Sequence, residues 1–114
     1  MKAQSEARAG GAAEETGGRL EGVRASIDEV DRSLVALIGV RCSLARSAGD
    51  AKRAERRPLV DPGQEAAVVR RVAEQARERG IDEESVRQIF WNLIELARRA
   101  QEDAGRLEAD GGRP

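Results

Sequence analysis

The 114-residue sequence contains no histidine, no tyrosine and only one cysteine. Without histidine, a Ser-His-Asp triad, a Cys-His pair and a zinc site with imidazole ligands are all excluded. Cys42 has no second cysteine with which to form an internal disulfide, and we interpret it as a small buried helix residue. An enzyme of this composition depends mainly on charge and shape, because proton transfer is left to carboxylates and lysines.

Aromatic residues and long apolar runs are also scarce. Phe90 and Trp91 are too few for base-stacking platforms, and no apolar run approaches the ~20 residues of a membrane span. The 20 basic residues nearly balance the 21 acidic ones, so the chain lacks the broad positive field that attracts nucleic acids and anionic membranes. The N-terminus lacks the apolar core of a signal peptide. We therefore expect a cytoplasmic protein that binds neither nucleic acid nor membrane.

The residues that are present predict one helical domain, at 19–108, between disordered tails at 1–18 and 109–114. Prolines and glycines divide this domain into three helices. The first runs from about residue 19 to residue 55. The second follows the N-cap Asp61 and ends at Gly80, and the third opens on Asp82 and continues to about Leu107.

The predicted first helix is too long for a compact single chain. About 37 residues give a helix of roughly 55 Å, whereas a compact 100-residue domain has a radius of gyration of about 13 Å. Such a helix cannot bury its whole apolar stripe within its own chain. We therefore predict an all-α intertwined homodimer in which the long first helices cross between subunits. An elongated monomeric hairpin and a longer coiled coil are the alternatives.

Charged residues interrupt the apolar stripe of this first helix. Arg41 stands where the repeat requires an apolar residue, and Lys52 lies on the same face, about 16 Å further along the axis. Ala45 and Ala48 lie between them, so two long cationic side chains flank a floor of methyl groups. This arrangement predicts a hollow for a small dianion. The stripe comprises Ile27, Val30, Leu34, Leu37, Arg41, Leu44 and Ala48.

Polar residues enter the other apolar stripes as well. Arg24 borders the first stripe, Glu65 lies near the centre of the second and Gln101 continues the third, unless Gln101 marks fraying beyond the core. An unpaired buried charge costs several kcal/mol, so these residues imply mutual partners or a ligand. The apolar faces comprise Val68, Val69, Val72 and Ala76 in the second helix, and Val86, Phe90, Leu93 and Ala97 in the third.

Structural explanations for the same residues stay open. Arg24 and Lys52 alternatively extend to water from the ends of the stripe, and Arg41 alternatively pairs with Glu65 or with an acid of a partner chain. Asp61, together with Gln64, is alternatively no more than a helix cap. The remaining arginines are assigned to solvated helix faces without a function, namely Arg19, Arg70, Arg71, Arg77, Arg98 and Arg99.

The segments VRASIDEVDRSLVALIGVR, GDAK, PLVDPGQE and IFWNLIELARRAQ together resemble the all-α (AroQ class) chorismate mutases. The similarity covers roughly residues 19–104. Each segment alone is a weak signal, but six positions match the family's site positions at matching intervals. These positions are Arg24, Arg41, Lys52, Asp61, Glu65 and Gln101.

The resemblance implies an intertwined homodimer with two equivalent sites, each completed by an arginine from the opposite subunit. By this analogy Arg24 crosses over and, with Arg41, binds the two carboxylates of the substrate. Lys52 contacts a carboxylate and the ether oxygen, and Gln101 contacts the same oxygen from the other side. These residues are the expected catalytic and substrate-binding groups for converting chorismate to prephenate in aromatic amino acid biosynthesis.

The ring hydroxyl of the substrate is assigned by the same resemblance to Glu65 and to the backbone near Asp61. The implied reaction is a unimolecular rearrangement without proton transfer, so we expect it to need neither a metal nor a cofactor. The resemblance is incomplete at Gln64, where many members have arginine, and at Ala97, where some have serine. The loss of a cation at Gln64 leaves 4-amino-4-deoxychorismate mutase as an alternative. Isochorismate-pyruvate lyase, a relative with the same fold and cationic pocket, and a non-catalytic dimerisation or regulatory module also stay open.

Overall fold

A computed structural model of the chain describes residues 18–111, with side chains described for 18–105. Helix α1 spans Gly18–Ala54, α2 spans Pro62–Glu78 and α3 spans Glu83–Gly111, and the described residues form no strand. The predicted all-α class is confirmed. Helix α3 continues past its predicted end and includes the first residues of the predicted C-terminal tail. The rest of both predicted tails lies outside the described residues, and the domain limits stay predictions.

The chain divides into an N-terminal unit ending at Leu37 and a C-terminal unit beginning at Ile38. In the N-terminal unit, the described residues belong to α1 and expose a row of large apolar side chains. The four residues of the predicted stripe that belong to this unit have exposed fractions of 51% to 63%. Among the described residues this part of the stripe is therefore left exposed, which agrees with the length argument. The four positions are Ile27, Val30, Leu34 and Leu37.

In the C-terminal unit, α2 and α3 pack as an antiparallel pair. Arg77 near the end of α2 bonds Glu83 at the start of α3, while Glu65 near the start of α2 bonds Arg98 further along α3. Small and β-branched side chains fill the interface, which allows the two helices to approach closely. The buried apolar residues are Val69, Val72, Ala73 and Ala76 in α2, and Ile94 and Ala100 in α3.

The predicted apolar face is confirmed for most of α2 but is displaced in α3. Val69, Val72 and Ala76 are buried and Val68 is half-buried, whereas all four residues predicted for the face of α3 are only half-buried. The buried residues of α3 are instead Ile94, Ala100 and Gln101. Helix α3 is contacted by α1 as well as by α2, so its buried surface is wider than one stripe, and its centre shifts.

The turn between α2 and α3 depends on Gly80. This residue has φ of +69°, in the left-handed region that glycine adopts without steric cost. The Gly80 N–H donates to the Arg77 carbonyl at 3.2 Å, and the Ile81 N–H donates to the Ala76 carbonyl at 2.9 Å. These two bonds form a Schellman motif, which satisfies carbonyls at the end of α2 and reverses the chain.

The starts of α2 and α3 are both capped by aspartate, as predicted. The Gln64 N–H donates to Asp61 Oδ1 at 3.1 Å, and the Ser85 N–H donates to Asp82 Oδ2 at 2.9 Å. The Ser85 hydroxyl donates to the same Asp82 oxygen at 2.7 Å. These bonds from Ser85 hold the pKa of Asp82 below its usual value, because they favour the ionised carboxylate.

Helix α1 ends in a second Schellman motif, but with an arginine in the left-handed position. Arg56 has φ of 57°, its N–H donates to the Arg53 carbonyl at 3.1 Å, and the Arg57 N–H donates to the Lys52 carbonyl at 2.8 Å. The reversed chain brings the segment from Leu59 to residue 61 back beside the last turns of α1. Among the described residues, no helix is both long enough and apolar enough to cross a bilayer.

Candidate active site

A cavity of about 310 Å³ lies within the C-terminal unit, between the last turns of α1, the loop that follows them, the start of α2 and the middle of α3. Its wall combines cationic, acidic and amide groups with apolar side chains. Five of the six predicted site residues line it, and so do both positions at which the family resemblance is incomplete. These residues are Arg41, Lys52, Asp61, Glu65 and Gln101, with Gln64 and Ala97.

Arg41, the residue that interrupts the apolar stripe of α1, is half-buried against α3. Its Nη1 donates to the Leu93 carbonyl at 3.5 Å, and its guanidinium carbon lies 5.9 Å from the centroid of the Phe90 ring. An aromatic face attracts a guanidinium, so Phe90 lowers the cost of placing this charge among apolar residues. Arg41 does not pair with Glu65 as one alternative proposed. Its remaining N–H groups stay available to an anion.

Lys52 is half-buried at the end of α1, and its Nζ donates to the Leu59 carbonyl at 2.8 Å. An ammonium group carries three N–H donors, so this bond orients the group and leaves donors for a ligand. The floor beside Lys52 differs from the predicted one. Leu44 and Ala45 line the cavity, whereas Ala48 is exposed. The side of α1 that faces α3 is therefore rotated slightly about the helix axis relative to the predicted stripe.

Gln101 is a buried polar residue of α3, with 8% of its surface exposed. Its Nε2 donates to the Ala45 carbonyl of α1 at 3.0 Å, which shows that it belongs to the packed core rather than to a frayed helix end. A primary amide has two N–H groups on one nitrogen, so the second one remains available to the cavity. The bond to Ala45 also defines which end of the amide is the donor.

Glu65 and Arg98 form a two-bond ion pair across the cavity wall. Arg98 Nε donates to Glu65 Oε2 at 3.0 Å, and Arg98 Nη2 donates to Glu65 Oε1 at 2.5 Å. The Glu65 side chain is 15% exposed and that of Arg98 is 40% exposed. The hydrogen bonds to Glu65 raise the pKa of Arg98, which keeps the guanidinium charged at every relevant pH.

Sequence reasoning missed Arg98, which it assigned to a solvated face. A signal was available, because residue 98 lies one turn before Gln101 on the same side of α3. The partner of Arg98 is 33 residues away in the sequence, so no local pattern identifies the pair. The other five arginines assigned to solvated faces are exposed, as predicted. Cys42 is half-buried, so its predicted full burial is wrong.

The charges that line the cavity sum to a small positive value. Arg41, Lys52 and Arg98 contribute three positive charges, and Asp61 and Glu65 contribute two negative charges. Because Arg98 and Glu65 neutralise each other, Arg41 and Lys52 remain as the cations that face the hollow. Two cations with spare N–H donors suit a small ligand that carries two carboxylates.

Comparison with known proteins identifies the family. A family model described as chorismate mutase type II matches residues 23–102. A protein of Methanocaldococcus jannaschii named chorismate mutase is 34% identical over 77 residues, which cover 68% of this chain and 78% of that relative. The chain belongs to the type II chorismate mutase family. The predicted enzyme class, an isomerase of the chorismate mutase type, is thereby confirmed.

The chorismate mutase match extends through both units of the chain and includes all six predicted site positions. Arg24 belongs to the N-terminal unit, where it is exposed on α1. Asp61 is exposed, lines the cavity and caps α2, so its structural and site interpretations are compatible. The individual roles of the site residues remain proposals.

Proposed function

We propose that this chain converts chorismate to prephenate in the cavity of the C-terminal unit. The observation that supports this proposal most directly is the convergence of Arg41, Lys52 and Gln101 on one hollow. Each of these side chains donates one hydrogen bond to a backbone carbonyl and keeps further N–H donors for a ligand. Membership of the chorismate mutase family supports the same activity.

The chemistry of the reaction matches these groups. In the rearrangement the ether C–O bond breaks while a C–C bond forms between the enolpyruvyl methylene and the ring, and no proton moves. Negative charge grows on the ether oxygen in the transition state, so donors placed there lower the barrier. Lys52 and Gln101 are the proposed donors. A charge-assisted hydrogen bond is roughly twice as strong as a neutral one, so we assign the larger share to Lys52.

Substrate binding also selects the reactive conformation. The two carboxylates of chorismate must be held so that its side chain folds over the ring, and Arg41 is the proposed partner of one of them. Holding both ends of a flexible dianion turns an infrequent conformation into the bound one, which removes an entropic part of the barrier. Glu65 and the backbone near Asp61 are the proposed partners of the ring hydroxyl.

The second carboxylate is assigned to the partner subunit's Arg24 in a homodimer. The support is the uncovered apolar face of α1 in the N-terminal unit, which includes Ile27, Val30 and Leu34 at about half exposure. A second copy that covers such a face removes it from water. The burial stabilises the dimer by roughly 25 cal/mol per Å² of apolar surface. A symmetric pair places the same face on both subunits, and it gives each cavity one arginine in trans.

Steady-state turnover of chorismate by the purified chain tests the activity. Lys52→Ala should lower kcat/KM about a hundredfold or more, because it removes the charged donor from the ether oxygen. Arg46→Ala, which removes an exposed cation from the same helix, is the matched control and should stay near wild type. An intact dimer without turnover would argue for a non-catalytic module instead, and an active but unaffected Lys52→Ala variant would remove Lys52 from the proposed catalytic groups.

A substrate panel separates the related activities. Chorismate, 4-amino-4-deoxychorismate and isochorismate share the dianionic scaffold, and both comparisons name chorismate mutase, so we expect the highest kcat/KM with chorismate. Gln64 leaves one cation fewer at the cavity wall than an arginine would. A preference for the 4-amino compound would assign the chain to the alternative mutase reaction. The cytoplasmic location stays a prediction.

A further inference from the structure

Arg98 is the one cation at the cavity wall whose N–H groups bind a carboxylate of the same wall. Its two bonds to Glu65 join α3 to α2 and use both carboxylate oxygens. A two-bond pair between planar groups fixes the orientation of both, which a single contact does not. Glu65 is the more buried partner, and the two bonds from Arg98 fix the direction in which its carboxylate faces.

The pair leaves Glu65 able to accept further hydrogen bonds. A carboxylate offers about four lone-pair sites, and Arg98 occupies two of them. Glu65 lines the cavity, so the remaining sites are accessible to a ligand there. An ionised carboxylate accepts and does not donate, and it therefore selects a ligand with a hydroxyl or amine at this position.

Arg98 also changes the charge that a dianion meets. Without it the wall would carry two cations, Arg41 and Lys52, and two carboxylates, Asp61 and Glu65, with a sum of zero. With Arg98 the sum is positive. A mostly buried carboxylate without a compensating cation would repel an anionic ligand, because the charges at this depth are screened less than in bulk water.

We propose that Arg98 is a positioning residue, which acts on the substrate through Glu65. It orients the Glu65 carboxylate as the acceptor for the donor group of the substrate ring, and it offsets the negative charge of that carboxylate. This inference rests on the proposed function. It assigns a role in substrate binding and specificity to a residue outside the six predicted site positions.

The expected kinetic signature is a change in KM rather than in kcat. The ring hydroxyl belongs to neither the breaking C–O bond nor the forming C–C bond, so its bond to Glu65 should be similar in the ground state and the transition state, and such uniform binding appears in KM. Arg98→Ala should raise KM for chorismate about tenfold with a smaller change in kcat. Arg98→Lys should be intermediate, because an ammonium keeps the charge but loses the two-bond geometry.

The matched control is Arg99→Ala, which removes an exposed cation from the next position of α3. It should leave KM unchanged. A chorismate analogue in which hydrogen replaces the ring hydroxyl gives a second readout. With this analogue Arg98→Ala should lower kcat/KM by less than with chorismate, because only the uncompensated charge of Glu65, and no lost hydrogen bond, then opposes binding. Thermal melting by circular dichroism verifies that each variant is folded, and Arg98→Gln replaces Arg98→Ala if the latter unfolds.

A double-mutant cycle with Glu65→Gln decides whether Arg98 acts through Glu65. In the Glu65→Gln background, Arg98→Ala should add less than about a twofold change, because the pair is already broken. An equal loss in both backgrounds, or an unchanged KM in a folded Arg98→Ala variant, would overturn the inference. If wild type turns over chorismate while Arg98→Ala is unaffected, only this inference fails. A wild-type chain without turnover would overturn the proposed function and this inference together.

Discussion

Gly49 of α1 lies directly against Gln101 of α3, so closely that a Cβ at position 49 would stand 3.1 Å from Gln101 Cγ. Gly49 is the one buried residue of α1, and Gln101 is the one buried polar residue among the described side chains. Ala45, one turn earlier in α1, provides the carbonyl to which Gln101 donates. The missing side chain at position 49 therefore allows the amide to reach its position at the cavity.

Gly49→Ala should lower activity without unfolding the protein. The added methyl group must displace Gln101 by a few tenths of an ångström, and a displacement of this kind at a donor should lower kcat about tenfold. The matched control is Gly39→Ala in the same helix, where a Cβ would meet nothing within 4 Å. That variant should keep its activity and gain about 0.5–1 kcal/mol of stability from helix propensity. Equal kinetics for the two variants would contradict the proposed positioning of Gln101.

The crossed-subunit assignment predicts recovery of activity in mixed dimers. Arg24→Ala and Lys52→Ala should each be inactive alone, since each removes one group from every cavity. A mixed dimer would contain one cavity with both groups intact, so co-refolding equal amounts should restore about a quarter of wild-type activity. Size-exclusion chromatography verifies that dimers form. Mixed dimers without any activity would argue against the proposed position of Arg24.

Arg56→Gly should stabilise the fold. Arg56 adopts φ of 57°, where a side chain is sterically unfavourable and glycine is not. After subtraction of the chain entropy that glycine loses, the expected gain in the free energy of unfolding is about 0.5–1 kcal/mol. Arg57→Gly is the control and should instead destabilise the protein, because among the described non-glycine residues Arg56 alone has a positive φ. Urea unfolding of both variants measures the difference.

The cap at the start of α3 should contribute a pH-dependent part of the stability. The pKa of Asp82 in the folded chain is lowered from the usual 3.8, chiefly by the hydrogen bond from the Ser85 hydroxyl. The ionised carboxylate is thus favoured by folding, so its contribution is present above about pH 3.8 and is lost as the pH falls through the lowered value. Wild type should melt at a higher temperature than Asp82→Asn at neutral pH. This gap should narrow below pH 4, and a gap that widens on acidification would contradict the assignment.

Local residue chemistry was sufficient to predict most of the fold. Asp61 followed by Pro62 sets the start of α2, Gly80 ends it and Asp82 starts α3, because caps and left-handed turns depend on residues close in sequence. The same reading identified Arg41, Lys52 and Gln101, since a polar residue at an apolar position of a helical repeat is conspicuous without a structure.

The tertiary structure alone decided which groups these side chains bind. Arg41, Lys52 and Gln101 donate to the carbonyls of Leu93, Leu59 and Ala45, and every residue has a carbonyl, so residue type cannot identify the acceptor. The pairing of Glu65 with Arg98 likewise depends on how α2 and α3 align across 33 residues. The sequence by itself determined which polar residues interrupt the apolar stripes, because helical periodicity is local. Only the packing of the helices determined their partners, because those contacts join distant parts of the chain.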